Sequence, residues 1–328
     1  MYLLDPTYIR NNVDYSFGDQ SSDVHRLGGG YMKDANLQNM EFIEKYNEVK
    51  KIRNVMTLFI DNIRLYKRSG IQYTAQEENN DTFKSFKNER IAELFKKNDL
   101  LKLCAEYQDM NFIIFTGFED TPIDEFIFEK IPDNVIKIYA SNAISFGGKV
   151  VPIPYGIQRK LNPYDNRQSV LSEMINNDDG AHRLLYVNHN VKTNPERIKL
   201  NDYLSEKRWI TLKTPKSIDY NDYRNYLRDI KSHKFMICPS GNAIGCECHR
   251  DWEVLYMKRV PVVKRSKYLE FIFKDFPVLF VDSFFDVTEK LLVDNDHLYK
   301  KALELPMDKL DFKILYIKYI KEAIEGGV

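Results

Sequence analysis

The feature that most limits the fold of this chain is a recurring grammar: a short apolar run, a polar loop, then a segment of helical periodicity. "NVMTLFIDN" (54–62), "MNFIIFTGFED" (110–120), "VIKIYASN" (135–142) and "KVVPIPYGI" (149–157) are short, nearly continuous apolar runs. Runs of that kind suit strands covered on both faces, as in a parallel sheet. Between them, "NLQNMEFIEKYNEVKKI" sets Met40, Ile43, Tyr46 and Val49 on one helical face, and residues 84–105 also read as helix. Residues 1–35, with "YSFGDQSSDVHRLGGG", read as loop. The alternation predicts an α/β domain.

The grammar then restarts. A polar stretch with one short helix (158–183) leads to strand "RLLYVN" (183–188), a helix from Pro195, strand "WITLK" (209–213) and helix "YNDYRNYLRDIKS" (220–232). Strand "KFMICPS" (234–240), a helix from His249, and strands "VPVVK" (260–264) and "FPVLFV" (276–281) follow. Leu310, Ile314, Ile317, Ile320 and Ile324 fall on one face of a terminal helix. The pattern predicts a first domain over 1–160, a second domain over 161–305, and a C-terminal helix, 306–328, packing back on the first. Two α/β halves of this kind hold ligands in the cleft between them, at strand carboxyl ends.

Charge and cysteine usage narrow the classes. Lys plus Arg and Asp plus Glu are 48 each, so the net charge of zero offers no global pull toward nucleic acid or anionic membrane. No uncharged apolar run approaches the roughly 18 residues of a spanning helix, and "MYLLDPTYIRNN" lacks the features of a signal peptide. The expectation is a soluble cytoplasmic protein without membrane insertion. Four unevenly placed cysteines make no disulfide framework.

The densest chemistry lies in "CPSGNAIGCECHRDWEVLYMKRVPVVKRS" (238–266). A zinc knuckle from Cys238, Cys246, Cys248 and His249 would need a Cys-x7-Cys-x-Cys-His spacing, unlike the usual Cys-x2–4-Cys pairs. A cysteine nucleophile at a helix start lacks an evident base. A cradle for a phosphorylated ligand uses more of the residues. Strand "KFMIC" releases a Gly-bearing loop, Ser240, Gly241 and Asn242 among it, and the next helix opens at His249 and Arg250 with free N–H groups facing the crevice. Arg250 adds a cationic fork. Glu253, three residues on, shares that face and can accept from sugar or ribose hydroxyls. "LLYVNHNVKTNPERIK" repeats the design and brings Asn188, His189, Thr193, Asn194 and Arg197 to the mouth of the preceding strand.

"SHKFMICPSGNAIGCECHRDWEVLYMKRVPVV" (232–263), with its His-Arg-x-Trp-Glu core, resembles the donor-binding signature of exostosin-like glycosyltransferases and their viral and bacterial relatives. "LLYVNHNVKTNPER" and "KVVPIPYGIQ" resemble further landmarks, together about half the chain. The departures are Cys238-Pro239 for Ser-Pro and Cys246-Glu247-Cys248 for an Ile-Asp-Thr-like stretch. The resemblance implies a GT-B fold: two Rossmann-like domains with parallel sheets facing a central cleft, a nucleotide sugar on the second and the acceptor on the first. It implies donor contacts from His249, Arg250 and Glu253, with Ser240, Gly241 and Asn242 near the phosphates, a UDP- or GDP-type co-substrate, and no required metal.

Glycosyl transfer also needs charge stabilisation on the leaving diphosphate, from Arg250 with Arg197 or Lys192, and, in an inverting enzyme, a base. Glu119 and Asp120 are favoured for the base; Asp61, Asp19, Asp23 and His25 are further candidates. The acceptor is a hydroxylated base in DNA, as for a phage enzyme in a host cytoplasm, or a glycan or small molecule. A DNA groove would draw on Lys50, Lys51, Arg53, Arg64, Lys67, Arg68, Arg159 and Lys160, which as helix-face charges are commonly only solvated. A nucleotide- or sugar-binding protein without transfer activity is the reading from another class.

Overall fold

The computed structural model describes residues 13–16, 44–61, 100–117, 122–157, 167–175, 180–191, 194–215, 220–241, 243–311 and 321. The chain divides into two compact units between Ile153 and Pro154. The division falls inside "KVVPIPYGI": its strand stops at Pro152, and residues 154–157 belong to the second unit.

The first unit carries β1 (Tyr15–Ser16), α1 (44–50), β2 (Val55–Asp61), α2 (Leu100–Glu106), β3 (Asn111–Gly117), β4 (Val135–Ala140) and β5 (Val150–Pro152). All pairings are parallel, in the order β1-β2-β3-β4-β5. Met56, Leu58, Phe112, Ile113, Ile114 and Phe115 are fully enclosed, or nearly so, which is why these strands read as unbroken apolar runs.

One expectation fails here. The leader is not all loop, because Tyr15–Ser16 adds an edge strand to β2. Asp14 holds it there, accepting from Arg53 Nη2 (2.5 and 2.6 Å), from the Thr57 N–H (2.7 Å) and from the Thr57 hydroxyl (2.8 Å). Arg53 is thus paired with Asp14, and Lys50 is paired with Asp109. Arg64, Lys67, Arg68, Arg159 and Lys160 lie outside the described residues, as do Met40 and Ile43; Tyr46 and Val49 are buried as the helical pattern requires.

The second unit carries α3 (Arg167–Ile175), β6 (Arg183–Asn188), α4 (Pro195–Ser205), β7 (Ile210–Lys213), α5 (Tyr220–Ser232), β8 (His233–Ile237), α6 (His249–Tyr256), β9 (Val260–Lys264), α7 (Lys267–Ile272), β10 (Leu279–Val281), α8 (Glu289–Asp294) and α9 (Asp296–Leu303). The sheet order is β10-β9-β8-β6-β7, again all parallel. The first strand, β6, thus has β7 on one side and β8 on the other. The winding reverses between β6 and β8, which opens a crevice at their carboxyl ends where ligands of such sheets bind. The core beneath joins Leu185, Val187, Phe235, Ile237, Val260 and Val262 to Leu200 and Leu204 of α4.

The terminal helix needs correction at its start. After Pro306, residues Met307–Leu310 form a 3-10 turn, with Leu310 buried and its carbonyl accepting from the Tyr256 hydroxyl (2.9 Å). Ile314, Ile317, Ile320 and Ile324 lie outside the described residues. Among the described residues no helix is long and apolar enough to cross a membrane.

Candidate functional site

The crevice at the reversal opens into a cavity of about 810 Å³. Its walls are the exit of β6 (Asn188), Arg197 of α4, the exit of β7 (Lys213, Thr214, Pro215), α5 (Asp222, Tyr223, Tyr226, Asp229), the start of α6 (Cys248, His249, Arg250, Glu253) and Arg167 of α3. A volume of this size suits a ligand of nucleotide or drug size.

Helix α6 is fixed by its apolar side. Trp252 is fully enclosed, with its ring 5.0 Å from Phe273 and 5.5 Å, edge-on, from Phe276. That anchor turns Arg250 and Glu253 toward the cavity. The helix start is closed by a capping box, in which the Asp251 carboxylate accepts from the Cys248 N–H (2.8 Å). Burial raises the Asp251 pKa to about 6.

The cations carry the signal instead. Arg197 is 4% exposed and spends its guanidinium on the chain itself. It donates to Ser240 O (Nε, 3.1 Å), Asn190 O (Nη1, 3.0 Å) and Pro239 O (Nη2, 2.7 Å), clasping the loops after β6 and β8 together. Asn194 joins the clasp, capping α4 by accepting from the Glu196 N–H (3.0 Å) while its amide reaches Ser240 O (3.4 Å). Arg250 has no comparable partners. Its Nε is buried and bonded to nothing, and Nη1 meets only the Cys248 sulfur at 3.8 Å. The two guanidinium groups repel: burial first, then the charge of Arg250, lowers Arg197 to about 10. Burial works against the charge of Arg250, yet the acidic groups around it, Glu253 among them, hold its pKa above the ordinary value; its Nε is the donor left open.

The rest of the lining offers hydrogen-bond acceptors. Glu253 does not pair along the helix with Arg250; its oxygens accept from Tyr223 and Tyr226, each at 2.9 Å. Burial raises its pKa. Lys213 is bound to Asp229 (2.6 and 2.8 Å), and the Tyr186 hydroxyl donates to Asp229 (3.1 Å) and accepts from Asn188 Nδ2 (2.7 Å). The Asn188 amide is thereby oriented. His249 stacks on Tyr155 (4.8 Å between centroids), and its Nδ1 lies 2.6 Å from the Gly156 carbonyl oxygen. Glu247 holds the same segment from below, accepting from the Tyr155 N–H, the Trp252 indole and the Tyr268 hydroxyl (3.1 Å). Burial raises the Glu247 pKa to about 8.

The cysteines have other surroundings than a reactive site. Cys238 and Cys246 are buried, and burial pushes the thiol of Cys238 well up and that of Cys248 to about 12. All four cysteines are free thiols, and among the described residues no three His, Cys, Asp or Glu side chains group as for a metal ion.

Of the residues expected from sequence, Asn188, Arg197, His249, Arg250 and Glu253 line this one cavity, while His189, Asn194, Ser240 and Gly241 stand in the adjoining loops. The Ser240 hydroxyl is turned to Cys246 O (3.0 Å). Thr193, Lys192, Asn242, Glu119, Asp120, Asp19, Asp23 and His25 lie outside the described residues, and Asp61 closes β2. Arg167, Lys213–Pro215 and the tyrosines of α5 were not foreseen. The exit of β7 obeys the same strand-end rule as β6 and β8, so it was open to inference.

No family model matches the chain, and no curated protein does. Among solved structures it is similar to an α1,3-fucosyltransferase, with a TM-score of 0.37 and 15% identity over 61% of this chain. The match spans 66% of that enzyme's chain, just under two thirds of its length. A likeness of this size carries no weight for function, which has to be read from the cavity.

Proposed function

We propose that this chain is a nucleotide-sugar-dependent glycosyltransferase of GT-B type whose donor lies in the cavity of the second unit. One observation carries the reading: the buried, unbonded Nε of Arg250 beside Arg197, at the point where the parallel sheet reverses. A diphosphate supplies an acceptor there. The acceptors on Glu253 and the strip along β7 and α5 suit the hydroxyls and base of a nucleoside. In transfer, the acceptor oxygen bonds to the anomeric carbon while that carbon's bond to the diphosphate breaks. The departing oxygen takes the electron pair, and Arg250 stabilises its charge.

The proton of the acceptor hydroxyl is assigned to Glu119 or Asp120, which follow β3. The acceptor itself is a hydroxylated base in DNA or a glycan, and the donor a UDP- or GDP-sugar. No metal is assigned to the chemistry.

Thermal shift of the purified protein against UDP, GDP and their sugars tests the donor site, with Arg250→Ala as control. Stabilisation by one nucleotide series, lost in the variant, is the expected result. No shift with any nucleotide sinks the proposal. Labelled-sugar transfer to hydroxymethylated DNA or to a glycan panel then separates the acceptors. Donor binding with neither transfer nor hydrolysis marks a binding protein.

A further inference from the structure

On the reading that a sugar diphosphate fills this cavity, we infer that Tyr223 and Tyr226 are positioning residues that make the Glu253 carboxylate a fixed two-oxygen acceptor for a vicinal diol of the ligand. The course of α5 brings the tyrosines to the cavity. That helix leads back over the sheet to feed β8, so its first turns lie at the carboxyl ends of the strands. Tyr223, Tyr226, Leu227 and Ile230 fall on one helical stripe. Leu227 and Ile230 are buried, whereas Tyr223 and Tyr226 are half-buried and line the cavity.

The two hydroxyls divide the carboxylate between them. Tyr223 donates to Oε1 and Tyr226 to Oε2, each at 2.9 Å. Their rings stack, with centroids 6.0 Å apart and planes at 29°, and Tyr226 also lies against Tyr186 at 6.4 Å. A carboxylate held at both oxygens does not swivel, and each oxygen keeps a second lone pair. Glu253 itself lines the cavity, one turn after Arg250. Burial raises its pKa, while Tyr226, Tyr223 and Arg250 work the other way and favour the ionised form, which only accepts.

Two acceptors fixed side by side match two adjacent hydroxyls, each donating to one oxygen. A single hydroxyl uses half of that arrangement, and a phosphate is repelled by it. Such a diol is carried by the ribose of a nucleoside and by many transferable sugars. In either it stands a few bonds from the diphosphate, as Glu253 stands one helical turn from Arg250. The tyrosine hydroxyls touch Glu253 rather than the diphosphate, so their part is confined to ligands that bear the diol.

The test measures affinities by titration calorimetry for UDP and GDP, their 2′-deoxy forms and their sugar conjugates. The proteins are wild type, Tyr223→Phe, Tyr226→Phe and the double variant. Phe keeps the ring and its stacking and removes only the hydroxyl. In wild type at least one comparison is expected to show a preference of about 10- to 100-fold, the worth of one hydrogen bond to a charged group. Ribo over 2′-deoxy places the diol on the ribose; conjugate over bare diphosphate places it on the transferred sugar. The double variant is expected to bring that preference within about threefold, with the ligand lacking the diol bound within about twofold of wild type. Each single variant should show part of the change, and the two carry the test if the double variant does not fold. Equal weakening of all ligands overturns the inference, since the hydroxyls then serve the fold. A preference that survives in the double variant overturns it too, as does a wild type with none. In those cases the donor site stands, whereas absence of any nucleotide binding in wild type overturns both readings.

Discussion

At the scale of single residues, the two arginines of the cavity differ in what their guanidinium groups touch. Arg250 has its Nε buried and bonded to nothing, beside the buried cation of Arg197. Replacing it with leucine removes the repulsion with Arg197 and supplies apolar volume, but it also removes the attraction of the acidic groups that, against burial, hold the Arg250 pKa above its ordinary value. Arg250→Leu is therefore expected to leave the stability of the ligand-free protein within about 1 kcal/mol, which is roughly 2–4 °C in Tm for a unit of this size. The same variant should lose all stabilisation by nucleotides. A Tm lowered by more than that in the ligand-free variant would mean that Arg250 serves the fold instead. Arg197 behaves in the opposite way: its three carbonyl contacts make it the clasp of the two loops. Arg197→Leu leaves those carbonyls short of donors and is expected to lower stability by about 2–4 kcal/mol, read as a fall in urea midpoint. Two arginines in one cavity thus separate by experiment into a ligand group and a structural one. Sequence could name both but not sort them, because the sorting depends on which carbonyls lie within reach.

At the scale of elements, strands were the most legible. "RLLYVN" and "VPVVK" coincide with β6 and β9 because strands buried on both faces leave unbroken apolar runs. Helices α4 and α6 were also placed at their first residues, Pro195 by its fixed backbone at N1 and His249 by the polar loop before it. The short helices α7, α8 and α9 escaped notice; six to eight residues hold too few turns for a periodicity to emerge. The edge strand β1 was hidden for a different reason, since its two residues are held by Asp14, Arg53 and Thr57, partners far apart in sequence. For the site, the critical element is α6, whose aim rests on Trp252 packed between Phe273 and Phe276. Trp252→Ala should cost about 3–5 kcal/mol. The conservative Trp252→Phe keeps the ring but strips Glu247 of its indole donor, and is expected to weaken nucleotide binding with a smaller loss of stability. Equal nucleotide affinity in Trp252→Phe would show that α6 holds its aim without that bond.

At the scale of the whole molecule, the buried titratable groups of the second unit set how stability depends on pH. Burial raises Glu247 to about 8 and Asp251 to about 6, and raises Glu253 as well. In the unfolded chain these carboxyls ionise near 4. The folded unit holds their protons to higher pH, so the stability they contribute is full below about 4 and is lost as pH rises through about 6 and then about 8. His189 works against them. It is 1% exposed with neither ring nitrogen bonded, and burial lowers its pKa to about 3. Its contribution is full above about 6.5, where the unfolded chain is also neutral, and is lost as pH falls toward 3. Between about 4.5 and 6 the carboxyls are opposed by His189 and by His233, whose pKa burial also lowers, and from about 6.5 to 8 Glu247 sets the slope. The ligand-free protein is therefore expected to be more stable at pH 5.5 than at pH 8, with the urea midpoint falling across that range. From pH 6.5 to 8 the loss is about 2 kcal/mol, one proton over a pH span of about 1.5. Glu247→Gln cannot ionise and should flatten that limb of the profile. A midpoint that is level or rising from pH 5.5 to 8 would show that these carboxyls are charged in the folded protein.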